Sequence, residues 1–324
     1  MAGDQMRIGI VGCGGIAGAH IGGYEGNDEV KLAAACDLNG KAAEAVAERF
    51  GGTAYTDLAE MLDKEKLDAV SLLTPPAVRM PITRIICEHK VHIFCEKPLA
   101  DTVAVARQMA EAAEANGVLL MVAACHRFHE PVRRTRELIE DGTLGKVRMF
   151  RNRFGYGWTK TDDEVRGRGG VLLDNGAHSA YLLRFLCGEP VSVMARGDRA
   201  DDIMLLRDVA AVVETDGEGI GVIELNGTVP KSKGIIEVYG TGGAAYIDYA
   251  GESVFLPGDS NEKVSLTDPD LPGNHRFVRE IGHFLECVRG AEEPTIAAEE
   301  GIRDLMLIEA IFQSICDGAP VTIG

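Results

Sequence analysis

Basic charge is scarce in this chain of 324 residues. Only 33 lysines and arginines stand against 50 acids, a formal net charge of −17. Nucleic acid and anionic membrane both call for a basic footprint, so neither is the expected partner. Long apolar runs are missing too: none approaches the roughly 20 residues needed to span a bilayer. The opening "MAGDQMRIGIVG" passes directly into a strand-like run and lacks the apolar core of a signal peptide. The eight cysteines, at 13, 36, 87, 95, 125, 187, 287 and 316, contain no CxxC pair. No spacing of cysteine or histidine matches a metal site, so no metal is expected. Several of the cysteines lie at strand ends among apolar neighbours, as small buried thiols do. A reducing, cytoplasmic compartment is the natural inference. Tryptophan occurs once, as Trp158. Apolar residues, at 46%, are plentiful enough for the cores of two ordinary domains.

The first third alternates short apolar runs with amphipathic segments. "MRIGIVG", "KLAAACD", "DAVSLLTP", "VHIFCEKP" and "VLLMVAAC" read as strands, with helices such as "GKAAEAVAERFG" and "TVAVARQMAEAAEANG" between them. A plausible N-cap, Asp57, opens the helix "DLAEMLDKE". Strands that are apolar throughout and alternate with helices predict a parallel sheet covered on both faces. After about residue 125 the pattern changes. A helix, "PVRRTRELIEDGTLG", and a long strand, "KVRMFRNRFGYGW", precede a glycine-rich loop and the helix "VLLDNGAHSAYLLRFLCG". Consecutive β-like runs separated by turns such as "DGEG" and "GTGG" then predict an open, largely antiparallel sheet. The expected organisation is a doubly wound parallel domain over 1–125 and an α/β domain over 126–324.

"GIVGCGGIAGAH" sets Gly12, Gly14 and Ala17 at the GxGxxA spacing between the first strand and the first helix. Gly12 permits the tight turn, Gly14 lets backbone approach a pyrophosphate, and Ala17 lets helix and sheet pack closely. The loop Gly12, Cys13, Gly14, Gly15 and Ile16 would then present amides to the phosphates. Alone, this spacing is also satisfied by a plain strand-to-helix connection. Asp37 strengthens it, because it ends the second strand 20 residues beyond Ala17. A carboxylate there accepts both adenosine ribose hydroxyls and repels a 2′-phosphate, which favours NAD over NADP. Leu38 and Asn39 offer that phosphate no positive partner, although Lys41 is within reach in sequence.

Asp174 and His178 are four apart in "GRGGVLLDNGAHSAYLLRF" and so share one helix face. A carboxylate and a histidine facing one way suit proton transfer to a substrate hydroxyl. A helix-start aspartate and a packed histidine would look the same. "VHIFCEKPLADT" is the third constellation, with Lys97 between an acid and a proline at the end of a strand.

Here the chain resembles the Gfo/Idh/MocA family of NAD(P)-dependent oxidoreductases, nearly end to end. The matching pieces are "GIVGCGGIAGAH", "DAVSLLTPP", "VHIFCEKPLADT", "LIEDGTLGKVRMFR", "GRGGVLLDNGAHSAYLLRFLCGEP" and "EAIFQSICDG". The resemblance implies a Rossmann domain plus an α/β domain with an open mixed sheet, assembled as homodimers or homotetramers. It implies hydride transfer at a secondary alcohol of a sugar, inositol or related polyol, or the ketosugar reduction that reverses it. Some relatives instead keep NAD bound and use transient oxidation to cleave a glycosidic bond. By resemblance Lys97, Asp174 and His178 surround the reacting carbon, while Glu96, Lys97, Thr74 and Pro75 lie along the cofactor. The Lys97–Pro98 bond is cis in some relatives. Three positions depart from the family pattern: Arg79 stands where a histidine is common, His126 where an asparagine is common, and Tyr181 where an acid is usual. His126 would lie close to the nicotinamide. Arg127, Tyr156, Trp158 and Asn175 are candidate substrate contacts, and Arg166 and Arg168 are weaker ones. The remaining histidines, His20 among them, show no partner pattern and read as structural or exposed.

Overall fold

The computed structural model describes residues 5–155, 161–198, 201–230, 232–260 and 262–324. The chain divides into two compact units, one of residues 1–125 and 272–302, the other of 126–271 and 303–324.

The first unit runs β1 Met6–Val11, α1 Ala17–Tyr24, β2 Val30–Cys36, α2 Gly40–Phe50, β3 Thr53–Tyr55, α3 Leu58–Glu65, β4 Ala69–Leu72, α4 Arg79–Glu88, β5 His92–Glu96, α5 Val103–Asn116 and β6 Leu120–Ala123. Its strands pair in parallel in the order β3-β2-β1-β4-β5-β6. All of β4 is buried, as the apolar runs require of a sheet covered on both faces. Helix starts follow local chemistry: Asp57 accepts the Glu60 amide at 2.9 Å and Thr102 the Val105 amide at 3.3 Å. Left-handed Gly51 and Gly117 close α2 and α5. The chain reverses its winding between β1 and β4. The crevice at their carboxyl ends is therefore the position where such sheets bind ligands.

The second unit contains α6 Glu130–Glu140, β7 Val147–Gly155, α7 Asp162–Arg168, α8 Gly170–Cys187, β8 Pro190–Gly197, β9 Asp208–Thr215, β10 Ile220–Asn226, β11 Ile235–Gly240, β12 Gly243–Asp248, β13 Val254–Pro257 and β14 Val264–Ser265. After α9 His275–Val288, the chain ends in α10 Ala298–Asp317 and β15 Val321–Thr322. The sheet order is β14-β13-β12-β11-β7-β10-β9-β8-β15, and only the β7–β10 pair is parallel. Residues of β9 alternate between buried and outward-facing, the mark of a sheet covered on one face. The buried helix α8 lies on the covered face. Gly221 makes room for it, since a Cβ there would come within 2.3 Å of Leu183 Cδ1.

Two expectations are corrected. Residues 272–302 belong with the first unit, not with the second domain. The cause is α9, which buries Phe277, Ile281, Phe284 and Leu285. It docks on α1 at Gly23, where a Cβ would lie 2.4 Å from Ile281 Cδ1, and Phe284 stacks on Phe94 of β5 at 4.9 Å. The second correction concerns the glycine-rich segment before α8. From 162 it is helical, because Thr161 and Glu164 form a reciprocal capping box and three acids fill the first turn.

Candidate active site

The glycine loop is built to be approached. Gly12 has φ +94°, and a Cβ on it would sit 2.9 Å from Leu73 C and Thr74 N. No side chain but hydrogen fits there. Gly14 and Gly15 face open space, with nothing within 4 Å of where a Cβ would project. Behind the loop, Asp37 Oδ2 accepts the Cys13 amide at 2.8 Å and Oδ1 accepts the Asn39 amide at 2.8 Å. The carboxylate thus ties the end of β2 to the loop. Burial and the Asp37 charge push the Cys13 thiol up to about 12, which keeps it inert. Thr74 Oγ1, across from Gly12, is buried without a hydrogen-bond partner. A side-chain-free cradle, an acid at the end of β2 and an orphaned hydroxyl fit a dinucleotide.

One strand over, β5 ends in Glu96, followed by a cis Lys97–Pro98 bond. Arg79 holds this corner. Its guanidinium, 2% exposed, donates to Thr74 O at 2.8 Å and to the carbonyls of Glu96 and Pro98. Here the departure from the family pattern clamps the two loops that flank the crevice. Glu96 Oε1 lies 3.2 Å from His20 Nε2, and His20 is fully buried. Burial alone would raise the Glu96 carboxyl. His20, Lys97 and Arg79 together carry it below the usual carboxylate range. Beneath the corner lies Glu280 of α9, 0% exposed, with neither carboxyl oxygen hydrogen-bonded. Burial and the nearby Glu96 charge hold Glu280 well above the ordinary range.

Sequence reasoning missed both His20 and Glu280. His20 lies three residues after Ala17 on the inward face of α1, a spacing that could have flagged it. Glu280 interrupts the apolar stripe Phe277, Ile281 and Phe284, and an acid on such a stripe is a readable signal.

In the second unit, α8 carries Asp174 and, one turn on, His178, which is 9% exposed. His178 Nδ1 lies 2.7 Å from Tyr181 Oη. The ring of His126 abuts that of His178 edge-on at 4.5 Å, and His126 Nδ1 is 2.6 Å from Tyr249 Oη. Phe154 of β7 packs against both imidazoles. His129 stacks on Tyr249 at 5.0 Å. The structure thus gathers His126 and His178 into one cluster with two tyrosines, of which Tyr249 was not foreseen.

The remaining candidates scatter. Asn175 is buried with its Nδ2 unpartnered. Arg127 lies over the Phe185 ring at 4.3 Å, and Arg166 pairs with Asp202 at 2.6 Å. Tyr156, Trp158 and the Arg168 side chain lie outside the described residues. Among the described residues no cluster of three or more His, Cys, Asp or Glu would hold a metal. None of their helices is long and apolar enough to cross a membrane.

Comparison with known proteins agrees with this geometry. Residues 6–124 match the oxidoreductase family with an NAD-binding Rossmann fold, and residues 132–246 match the GFO/IDH/MocA C-terminal domain. The myo-inositol 2-dehydrogenase of Thermotoga maritima is 28% identical, covering 96% of each chain. The D-glucoside 3-dehydrogenase of Escherichia coli is also 28% identical, covering 100% of this chain and 99% of that one. The crystal structure of an oxidoreductase domain protein from Kribbella flavida superposes with a TM-score of 0.90 at 21% identity, over 99% of this chain and 100% of that one. With both halves matched and a cradle shaped for a dinucleotide, the chain belongs to the Gfo/Idh/MocA family of oxidoreductases.

Proposed function

We propose that this oxidoreductase is an NAD-preferring dehydrogenase acting on a secondary alcohol of a sugar, inositol or related polyol. The observation that carries the reading is Asp37, bonded behind the open Gly12–Gly15 cradle where ribose hydroxyls would bind. Two similar curated proteins are named for dehydrogenation of an inositol and a glucoside, which supports net oxidation over the glycosidase route. A nicotinamide held at the crevice of the first unit would supply the hydride acceptor. Gly12 to Ile16, Thr74, Pro75 and Glu96 would hold the dinucleotide, with His126 on the nicotinamide side.

The chain's own groups handle the proton. The Lys97 ammonium holds the substrate oxygen and shares in removing the hydroxyl proton by stabilising the negative charge that develops there as the proton passes to the base. His178 is its partner base, with Asp174 beside it. Asn175, Arg127, Tyr156 and Trp158 are assigned to substrate contact. The second unit also carries assembly into a homodimer or homotetramer through its open sheet face. All eight cysteines are free, in keeping with a cytoplasmic setting.

A fluorescence screen for NADH over a panel of inositols, sugars, sugar acids and polyols tests the activity. NADH should accumulate with at least one of them. Turnover of a glycoside without net NADH would favour the glycosidase route, and NADP matching NAD in affinity would remove the role given to Asp37.

A further inference from the structure

Resting on the role given to Lys97, we propose that His20 is a positioning residue for the reaction: from α1 it holds the Glu96 carboxylate, so that the one negative charge of two buried carboxyls stays beside Lys97. His20 is fully buried, and its Nε2 lies 3.2 Å from Glu96 Oε1. Its Nδ1 has no partner, so this is the side chain's one hydrogen bond among the described residues. The ring packs against Phe94 of β5 at 5.4 Å and Phe277 of α9 at 6.2 Å. It cannot turn away without repacking both phenyl groups. The helix that carries it, α1, follows the Gly12–Ile16 cradle, and the His20 amide bonds back to Ile16 O at 3.3 Å. One short helix thus joins the proposed dinucleotide loop to the corner that carries Lys97.

Two carboxyls come to this site from different elements, Glu96 at the end of β5 and Glu280 from α9. Both are buried, and neither oxygen of Glu280 is hydrogen-bonded. Like charges kept from water repel, so one of the pair keeps a proton. Their surroundings decide which. Glu96 faces His20, Lys97 and Arg79, and together these outweigh its burial. Glu280 faces Arg276 of its own helix and the Ala124 backbone, which do not outweigh burial and the Glu96 charge. The other titratable neighbours are Cys125, just beyond β6, and Tyr24 of α1, bonded to Ser71 Oγ of β4 at 2.9 Å. Burial raises both and keeps them neutral. The same 3.2 Å contact would form if Glu96 carried the proton and gave it to Nε2. Arg79 and Lys97 would then face a neutral group, so the flanking cations favour the anion, with Nε2–H as donor. The attraction between Glu96 and Lys97 is mutual, and the fixed anion supports the ammonium assigned to the substrate oxygen.

The test uses the full chain with ¹³C-labelled glutamate, whose carboxyl signals report protonation with or without activity. Glu96→Gln and Glu280→Gln identify the two signals. In the natural protein at neutral pH, Glu96 should be ionised and Glu280 protonated. His20→Phe keeps a flat ring and removes the donor. It should move the Glu96 titration up by about one pH unit or more, and the acid limb of kcat/KM with it. His20→Gln, whose amide reaches where Nε2 stood, should bring both back toward the parent. His20→Asn, whose amide stops at the place of Nδ1, should not. A merely structural role would lower kcat at every pH and leave the limb in place. Should His20→Phe fail to fold, the Asn and Gln variants decide. A protonated Glu96 in the natural protein at neutral pH overturns the proposal. So does a Glu96 titration, or an acid limb, indifferent to loss of the His20 donor. Normal turnover in Lys97→Ala would instead count against the role given to Lys97, and the Glu96 signal would still show whether His20 fixes the charge.

Discussion

Arg79 keeps its charge almost wholly out of water and spends it on backbone carbonyls rather than on a carboxylate. Replacing it by Met would leave the carbonyls of Thr74, Glu96 and Pro98 short of a donor, each at about 1–3 kcal/mol. Urea denaturation of Arg79→Met should show a loss of several kcal/mol, partly restored in Arg79→Lys; an unchanged midpoint would refute the clamp. Asp37 invites a second test at the same scale. Asp37→Ala removes the anion that opposes a 2′-phosphate, so fluorescence titration should find the preference for NAD over NADP narrowed. An unaltered ratio would place cofactor choice elsewhere, with Lys41 the first alternative. Gly12, Asp37 and Lys97 were legible in the sequence because each belongs to a short motif whose geometry is local. Tyr249 was not, since it meets His126 across 123 positions of chain. Arg79 and Tyr181 were legible only as departures; what they bond to required the fold.

At the level of elements, α9 is the instructive case. Its helical stripe was readable, but its return to the first unit was not, because nothing near residues 275–288 encodes a partner as distant as Gly23. The apolar surfaces that dock it, Phe277, Ile281 and Phe284, would serve equally well in either unit. Glu280 sits within that docked face, and its raised folded-state value has a sign. The native protein holds this proton where the unfolded chain has released it, so stability is greatest below the unfolded value near 4.3 and falls as pH rises toward the folded one. The slope contributed is at most about 1.4 kcal/mol per pH unit. Glu280→Gln keeps the shape and removes the titration. Its stability relative to the parent should therefore grow between pH 5 and 8. Parallel stability curves for the two proteins over that range would contradict the buried neutral acid. By contrast, α7 was missed for a nearer reason: the glycines around it masked the capping box at Thr161 and Glu164.

For the whole molecule, the nine-stranded sheet leaves one face open. Val212, Ile220 and Met149 stand outward on it, with Met149 directly opposite Ile220 in register. Arg151 pairs there with Glu224 at 3.0 Å and with Glu237 at 3.5 Å. An apolar strip bordered by ion pairs suits burial against a second copy. Light scattering at micromolar concentration should find an oligomer, and Val212→Asp with Ile220→Asp should release monomers. A monomeric parent would contradict the assembly. The alternation of β9 and β10 made this sheet readable from sequence, whereas the order of its strands, with β7 at the centre, came only from the structure. Beneath all of this lies the claim that Lys97 handles the substrate proton. Steady-state turnover of Lys97→Ala, measured beside its NAD dissociation constant, tests it most directly. The account predicts a loss on the order of 10²–10⁴ in kcat with NAD affinity little changed. Near-normal turnover, or a loss confined to NAD binding, would contradict it.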